Sequence, residues 1–211
     1  MASAQKSRRE EAKRPYRMSA RAKAAAATRE RLVAAAWRRF ATLPYESVHL
    51  RDVAAEAGVT AQTLHLRFGS KEELFTAAFT WWGLREIATR EEAPVGRVPE
   101  AIANIFDHYE SQGPAVLRML SQEERIPAVR EMTEAGRAYH RAWVEKTFAP
   151  LLSGLTGAAR ERRLAAIVLA TDVLAWKLLR QDMRIERDEA ERIVAEMVGA
   201  APTAKGVGHE T

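Results

Sequence analysis

The chain has 211 residues, 33 Lys or Arg against 28 Asp or Glu, a net charge of +5 and no cysteine. That length suits one large or two modest domains with a sizeable core. The missing thiols exclude disulfides, thiolate metal sites and thiol redox sensing, and agree with a reducing, cytoplasmic setting. The longest apolar stretch of the C-terminal half, about Leu164 to Val173, is too short for a bilayer, which needs roughly 20 residues. The basic N-terminus has no apolar secretory core with a cleavage site, so no membrane contact is expected.

Charge is divided along the chain. Residues 1–90 hold 17 Lys or Arg against 9 Asp or Glu, and residues 91–211 hold 16 against 19. Such asymmetry suggests that one half meets a polyanion while the other does something else; a solvated basic tail is the plainer reading.

Residues 1–20 lack apolar periodicity and read as a basic disordered arm. The first predicted helix runs from about Ala20 to Leu43, with Leu32, Val33, Ala36, Trp37 and Phe40 on one face, and Pro44 ends it. Leu50, Val53, Ala54 and Ala57 form the inner face of a short second helix, and Gly58-Val59 makes the turn. Thr60 caps a third helix reaching Phe68. Ser70 and Glu73 form a capping box for a fourth, whose stripe is Leu74, Phe75, Ala78, Phe79 and Trp82. Small Ala54, turn-forming Gly58 and apolar Leu64 are the minimum for a helix-turn-helix, about residues 49–68, that can dock a recognition helix in a major groove.

The Pro- and Gly-containing run Ala93 to Pro99 marks a boundary. It separates a first domain over 21–86 from a second over 95–200, and residues 201–211 read as a frayed tail. Helices are expected at about 100–111, 114–124, 127–152, 158–182 and 187–198, giving an all-α chain. In the helix over 158–182, Leu164, Ile167, Val168, Thr171, Leu174 and Leu178 fill one face and Leu169, Val173, Trp176 and Leu179 much of another. A helix apolar on two sides needs two covers. A second copy of the chain, joined through the two C-terminal helices with Ile193, Val194 and Met197 contributing, would supply one; a central core position is the alternative.

The path from Thr28 to about Phe79 resembles the DNA-binding domain of TetR-family transcriptional regulators. The residues that carry the resemblance are the apolar pattern of the first helix, Tyr45-Glu46, Arg51-Asp52-Val53-Ala54, Ala57-Gly58-Val59-Thr60, Thr63-Leu64, Phe68 and Lys71-Glu72-Glu73-Leu74. It implies an N-terminal three-helix DNA-binding domain and a C-terminal helical ligand-binding and dimerisation domain. The expected function is that of a homodimeric repressor, released from a palindromic operator on double-stranded DNA by a small-molecule effector, with no cofactor. The alternative is a DNA-bound scaffold whose C-terminal domain recruits a protein partner.

By chemistry, Thr60 and the free amides of the recognition helix suit a phosphate. Gln62 suits adenine, and Thr63 or Ala61 a thymine methyl. Lys71 corresponds to the family's phosphate-contacting lysine, and Arg51 and Arg67 are phosphate or base candidates, or plain solvated charges. His65 stands where the family usually has tyrosine, so it would donate best when protonated, making affinity pH-dependent. Leu66 replaces a polar or aromatic residue, Val48-His49 the usual Thr-Ser or Thr-Thr, leaving His49 as a poor N-cap, and Pro44 a glycine. Arg14, Arg17 and Arg21 of the arm, with Arg8, Arg9, Lys13 and Lys23, would follow phosphates or enter a minor groove; a solubilising role is the alternative.

In the second domain Phe106, Tyr109, Met119, Met132, Tyr139, Trp143, Phe148 and Trp176 would line an effector cavity or simply fill the core. His108 and His140 are polar residues on otherwise apolar helices, and Asp172 would greet a cationic ligand or pair with an arginine. No catalytic constellation, metal-ligand spacing, P-loop or dinucleotide fingerprint occurs, which disfavours an enzyme.

Overall fold

The computed structural model describes residues 2–200, with the side chains of residues 21–199. The basic arm expected over residues 1–20, with Arg14 and Arg17, lies outside the described side chains, and the tail expected over 201–211 outside the described residues. The described residues form helices α1 to α10, one 3-10 turn and one π turn, with no strand. They divide into two compact units, Met1–Trp82 and Gly83–Thr211. No described helix is long and apolar enough to cross a membrane.

The first unit comprises α1 (Ala2–Thr42), the 3-10 turn Tyr45–Ser47, α2 (Leu50–Glu56), α3 (Ala61–Phe68) and α4 (Lys71–Arg90) as far as Trp82. The stripe Leu32, Val33, Ala36, Trp37 and Phe40 is buried, as are Val53, Ala54, Ala57, Leu64, Phe68, Leu74, Phe75, Ala78 and Trp82. Aromatic rings join α1 to α4: Trp37 stacks on Trp82 at 4.2 Å, and Phe40 meets Phe75 edge-on at 4.9 Å. Val48 is buried too, at 1% exposure, so an apolar residue just before α2 contributes to the core instead of capping. His49 at the N-cap position of α2 makes no side-chain capping bond.

The turn between α2 and α3 depends on Gly58, whose φ of +68° is a left-handed conformation that costs an L side chain energy. A Cβ there would meet nothing within 4 Å, so the backbone angle, not space, selects glycine. Arg38 and Arg39 reach Glu56 at the end of α2 at 2.7 and 2.9 Å. Burial works to raise the Glu56 pKa, but these two hydrogen bonds bring the carboxyl below its ordinary value.

The second unit holds the end of α4, then α5 (Val98–Leu120), α6 (Pro127–Thr147), α7 (Ala149–Leu152), α8 (Gly157–Ala170), α9 (Val173–Lys177), the π turn Leu178–Asp182 and α10 (Arg187–Ala200). It differs from expectation at three places. The helices expected at 100–111 and 114–124 are one, α5, with Pro114 inside it. A proline there costs about 3 kcal/mol. Burial of Tyr109 and Gly113 before it and of Ala115 and Met119 after it holds the helix together. The helix expected over 127–152 breaks at Phe148, after which Pro150 opens the single turn α7.

The third difference matters most. The expected helix 158–182 breaks at Thr171-Asp172: the Thr171 hydroxyl turns back to the Ile167 carbonyl at 2.8 Å, and Asp172 caps α9 by accepting from the Leu174 amide at 2.8 Å. The break re-phases the faces. Leu174 and Leu178, expected beside Leu164 and Ile167, are 58% and 52% exposed, whereas Val173, Trp176 and Leu179 are buried. Asp172 therefore serves as a helix cap, in place of the arginine pairing expected of it. Of the expected α10 contributors, Val194 lies in the core and Met197 is exposed.

Candidate functional site

Helix α3, the recognition helix expected from the sequence, is fixed at both ends. Thr60 is extended (φ −80°, ψ 153°), and its Oγ1 accepts the Thr63 amide at 3.1 Å. The Thr60 and Thr63 hydroxyls are also 2.9 Å apart. Thr63 is half-buried, so its hydroxyl serves the cap first, and if it donates to Thr60 then Thr60 keeps its own proton for an outside acceptor. The Gly69 amide closes the helix on the His65 carbonyl at 2.8 Å. Ser70 begins α4 by accepting the Glu73 amide at 3.0 Å.

Leu64 and Phe68 face the core, which leaves Ala61, Gln62, His65, Leu66 and Arg67 exposed. The Gln62 side chain has no hydrogen bond among the described residues, so both halves of its amide are available. The His65 Nδ1 lies 3.4 Å from the Gly69 carbonyl. A carbonyl only accepts, so Nδ1 carries the proton in that contact and Nε2 can donate outward only from the imidazolium. The Arg67 Nη1 donates to the Ala25 carbonyl of α1 at 3.4 Å, which ties the recognition helix to α1. Arg51 has 80% of its side chain exposed and pairs with Asp52 at 3.4 Å. Arg21 and Lys23, the arm residues with described side chains, are exposed.

Lys71 is held in place. Its Nζ donates to the Glu46 carbonyl at 3.3 Å and sits 4.6 Å from the centre of the Tyr45 ring. Burial draws the Lys71 pKa below the ordinary lysine value, partly offset by Glu46. Burial, then Glu72 and Glu46, push Tyr45 up to about 12, so its hydroxyl stays protonated. Tyr45 does not stand out as a functional position in the sequence, although the pair Tyr45-Glu46 belongs to the pattern that carries the resemblance. Arg29 over the Phe68 ring at 5.2 Å and Arg31 bonded to the Ala57 carbonyl at 3.1 Å also bring positive charge to this unit.

In the second unit Phe106, Tyr109, Trp143, Phe148 and Trp176 belong to one buried cluster, with Tyr139 packed against it; Met119 is buried outside that cluster, and Met132 is half-buried outside it. A polar network not foreseen from the sequence runs through this unit. Arg90, 6% exposed, donates from Nη2 to the His140 Nδ1 at 2.9 Å and lies over the rings of Trp143 and Tyr139 at 4.6 and 4.9 Å. The His140 Nε2 is 3.2 Å from the Thr171 hydroxyl, and Tyr109 donates to the Thr171 carbonyl at 3.1 Å.

Because Arg90 only donates, His140 is the tautomer with its proton on Nε2. Burial, then the Arg90 charge, lower the His140 pKa to about 3. Arg90 has no ion pair among the described residues, and its Nε has no hydrogen-bond partner. His140 is visible in the sequence as a polar residue on an apolar helix, but Arg90 closes α4 about fifty residues earlier in the chain, and no periodicity links the two. His108 pairs instead with Glu86 at 2.9 Å.

Comparison with known proteins accords with this geometry. Residues 32–78 match the family model described as bacterial regulatory proteins, tetR family, a span from the buried stripe of α1 through the recognition helix into α4. The fold is similar to that of a transcriptional regulator from Rhodococcus sp. Rha1, with a TM-score of 0.63, 20% identity, and 81% of this chain and 94% of that one covered. It is also similar to a tetR-family transcriptional regulator from Streptomyces coelicolor, with a TM-score of 0.66, 17% identity, and 82% and 79% covered. No curated protein matches the chain by sequence. Over residues 32–78 the chain is thus similar to bacterial regulatory proteins of the tetR family, and its fold is shared with solved transcriptional regulators.

Proposed function

We propose that the protein is a homodimeric repressor, acting in the cytoplasm, that binds a palindromic operator through α3 and is released by a small-molecule effector. The observation that carries the operator reading is the outer face of α3. Gln62, His65 and Leu66 are exposed there, and the capped helix start at Thr60, the seated Lys71 and the exposed Arg51 supply phosphate contacts.

Dimerisation is supported by Leu169, Leu174, Leu178, Met183 and Met197, large apolar side chains of α8 to α10 that are 48–68% exposed. A two-fold pairing of that face gives a symmetric reader, and a symmetric reader selects an inverted repeat. The effector seat is proposed beside Phe106, Tyr109, Tyr139, Trp143 and Trp176, where Arg90 lacks a carboxylate partner. Release requires that the effector prefer the conformation with the lower affinity for DNA, since equal preference shifts nothing.

Selection of bound sequences from random DNA by the full-length protein tests the reading. An enriched inverted repeat is expected, with Gln62→Ala losing preference at particular base pairs; failure to enrich any motif rejects sequence-specific regulation. A reporter placed behind the recovered site then gives the sign of control, with repression expected.

A further inference from the structure

Leu66 is the most exposed large hydrophobic side chain among the described residues, at 81%. Its position on α3 gives that exposure a meaning. At about 100° per residue, the two buried residues Leu64 and Phe68 fall close together around the helix, and Leu66 lies opposite their mean direction. It is therefore the residue of α3 that points furthest from its own domain. Gln62 lies one turn earlier on the same side. Packing within the unit does not account for a leucine here, since at this exposure it adds almost nothing to the core.

We propose that Leu66 reads the C5-methyl group of a thymine in the major groove, and so determines specificity beside Gln62. This rests on the reading of α3 as the element that enters the groove. The chemistry is selective, because the thymine methyl is the one alkyl group on the major-groove edge of the four base pairs; cytosine has only a hydrogen at the same position, and the other features there are chiefly hydrogen-bond donors and acceptors. A leucine against that methyl removes apolar surface from water on both sides. Laid over guanine or cytosine, the same leucine strips water from polar atoms and returns no hydrogen bond. The side chain therefore favours A·T pairs and penalises G·C pairs at one position of each half-site.

The surroundings fit a polyanion. Arg51 is 80% exposed, Lys71 is seated on Tyr45, and Arg67 lies on the same helix as Leu66. Thr63, which from sequence alone is an equally good partner for a thymine methyl, is half-buried and engaged in the cap with Thr60.

Thymine-to-uracil replacement tests the proposal, because it deletes one methyl group and leaves the base-pairing edge and the O4 acceptor intact. Starting from the inverted repeat recovered by random-sequence selection with the full-length chain, each dT is replaced singly by dU and affinity is measured. At one thymine per half-site, a loss of about threefold to fivefold is expected, the worth of one buried methyl group. In Leu66→Ala the dependence on that methyl disappears, while the salt dependence set by phosphate contacts stays as it was. An operator with no thymine whose methyl matters, or a methyl dependence that survives in Leu66→Ala, overturns the proposal and leaves operator binding standing. Recovery of no inverted repeat at all defeats the operator reading itself. The uracil scan on the unsubstituted protein needs no variant to fold.

Discussion

At the scale of single residues, the two units hold their key polar groups in opposite ways. Lys71 keeps its charge near the surface, braced by the Tyr45 ring and the Glu46 carbonyl. A lysine with its position fixed loses less side-chain entropy on meeting a phosphate. Lys71→Met should weaken binding to all sequences alike and flatten the dependence of log affinity on log salt by about 0.9 for each phosphate that the ammonium neutralises; titrations at several salt concentrations measure this. His140, by contrast, is held neutral between Arg90 and Thr171, with its pKa lowered from 6.5 to about 3. A depressed folded-state pKa contributes stability that is present above the unfolded value and lost as pH falls through the folded one. Unfolding free energy should therefore drop between pH 6.5 and pH 3 by up to about 1.4 kcal/mol per unit for this one proton. Denaturant titrations of His140→Gln, which keeps an acceptor for Arg90, should show a shallower acid slope. An identical slope in both proteins rejects the neutral buried imidazole.

Elements show where sequence is legible and where it is not. The Thr60 cap, the Ser70 start of α4 and the buried stripes of α1 and α4 are readable because each depends on residues three or four apart. The seat of Lys71 is not readable, because Tyr45 and Glu46 lie about 25 residues away and only the fold brings them near. The break at Thr171-Asp172 is a local signal that periodicity hides: apolar residues continue through it, while a threonine bonded back to Ile167 and an aspartate cap end one helix and start the next. Gly113 shows a choice that no helix pattern reveals. A Cβ at this position would lie 2.5 Å from Cζ3 of Trp176, whose indole nitrogen donates to Glu110 at 3.1 Å. In an open helix, alanine for glycine gains about 0.5–1 kcal/mol. Here the collision with a buried ring dominates, and Gly113→Ala should instead lose about 1–3 kcal/mol. Thermal unfolding measures it, and the loss should shrink in a Trp176→Leu background, since the ring that blocks the methyl is gone.

For the whole molecule, the proposed two-fold pairing determines what the unit that carries α3 could do in the proposed operator reading. In that reading one α3 would contact a single half-site, and joining two copies would make the second binding event nearly intramolecular, raising affinity without any new protein–DNA interaction. Leu174 and Leu178 lie one turn apart and both are more than half exposed. A charge on this face should cost little in the isolated chain, because water already reaches it, and much in a dimer, where it would be buried without a partner. Leu174→Asp with Leu178→Asp should therefore shift the protein from dimer to monomer in sedimentation while leaving the thermal unfolding of the monomer nearly unchanged. The same double variant should lose its preference for the full inverted repeat over a half-site, with the half-site affinity unaltered, since α3 is untouched. A variant that remains dimeric would mean that another surface joins the copies. A monomeric variant with undiminished preference for the full site would break the link between this apolar face and operator recognition.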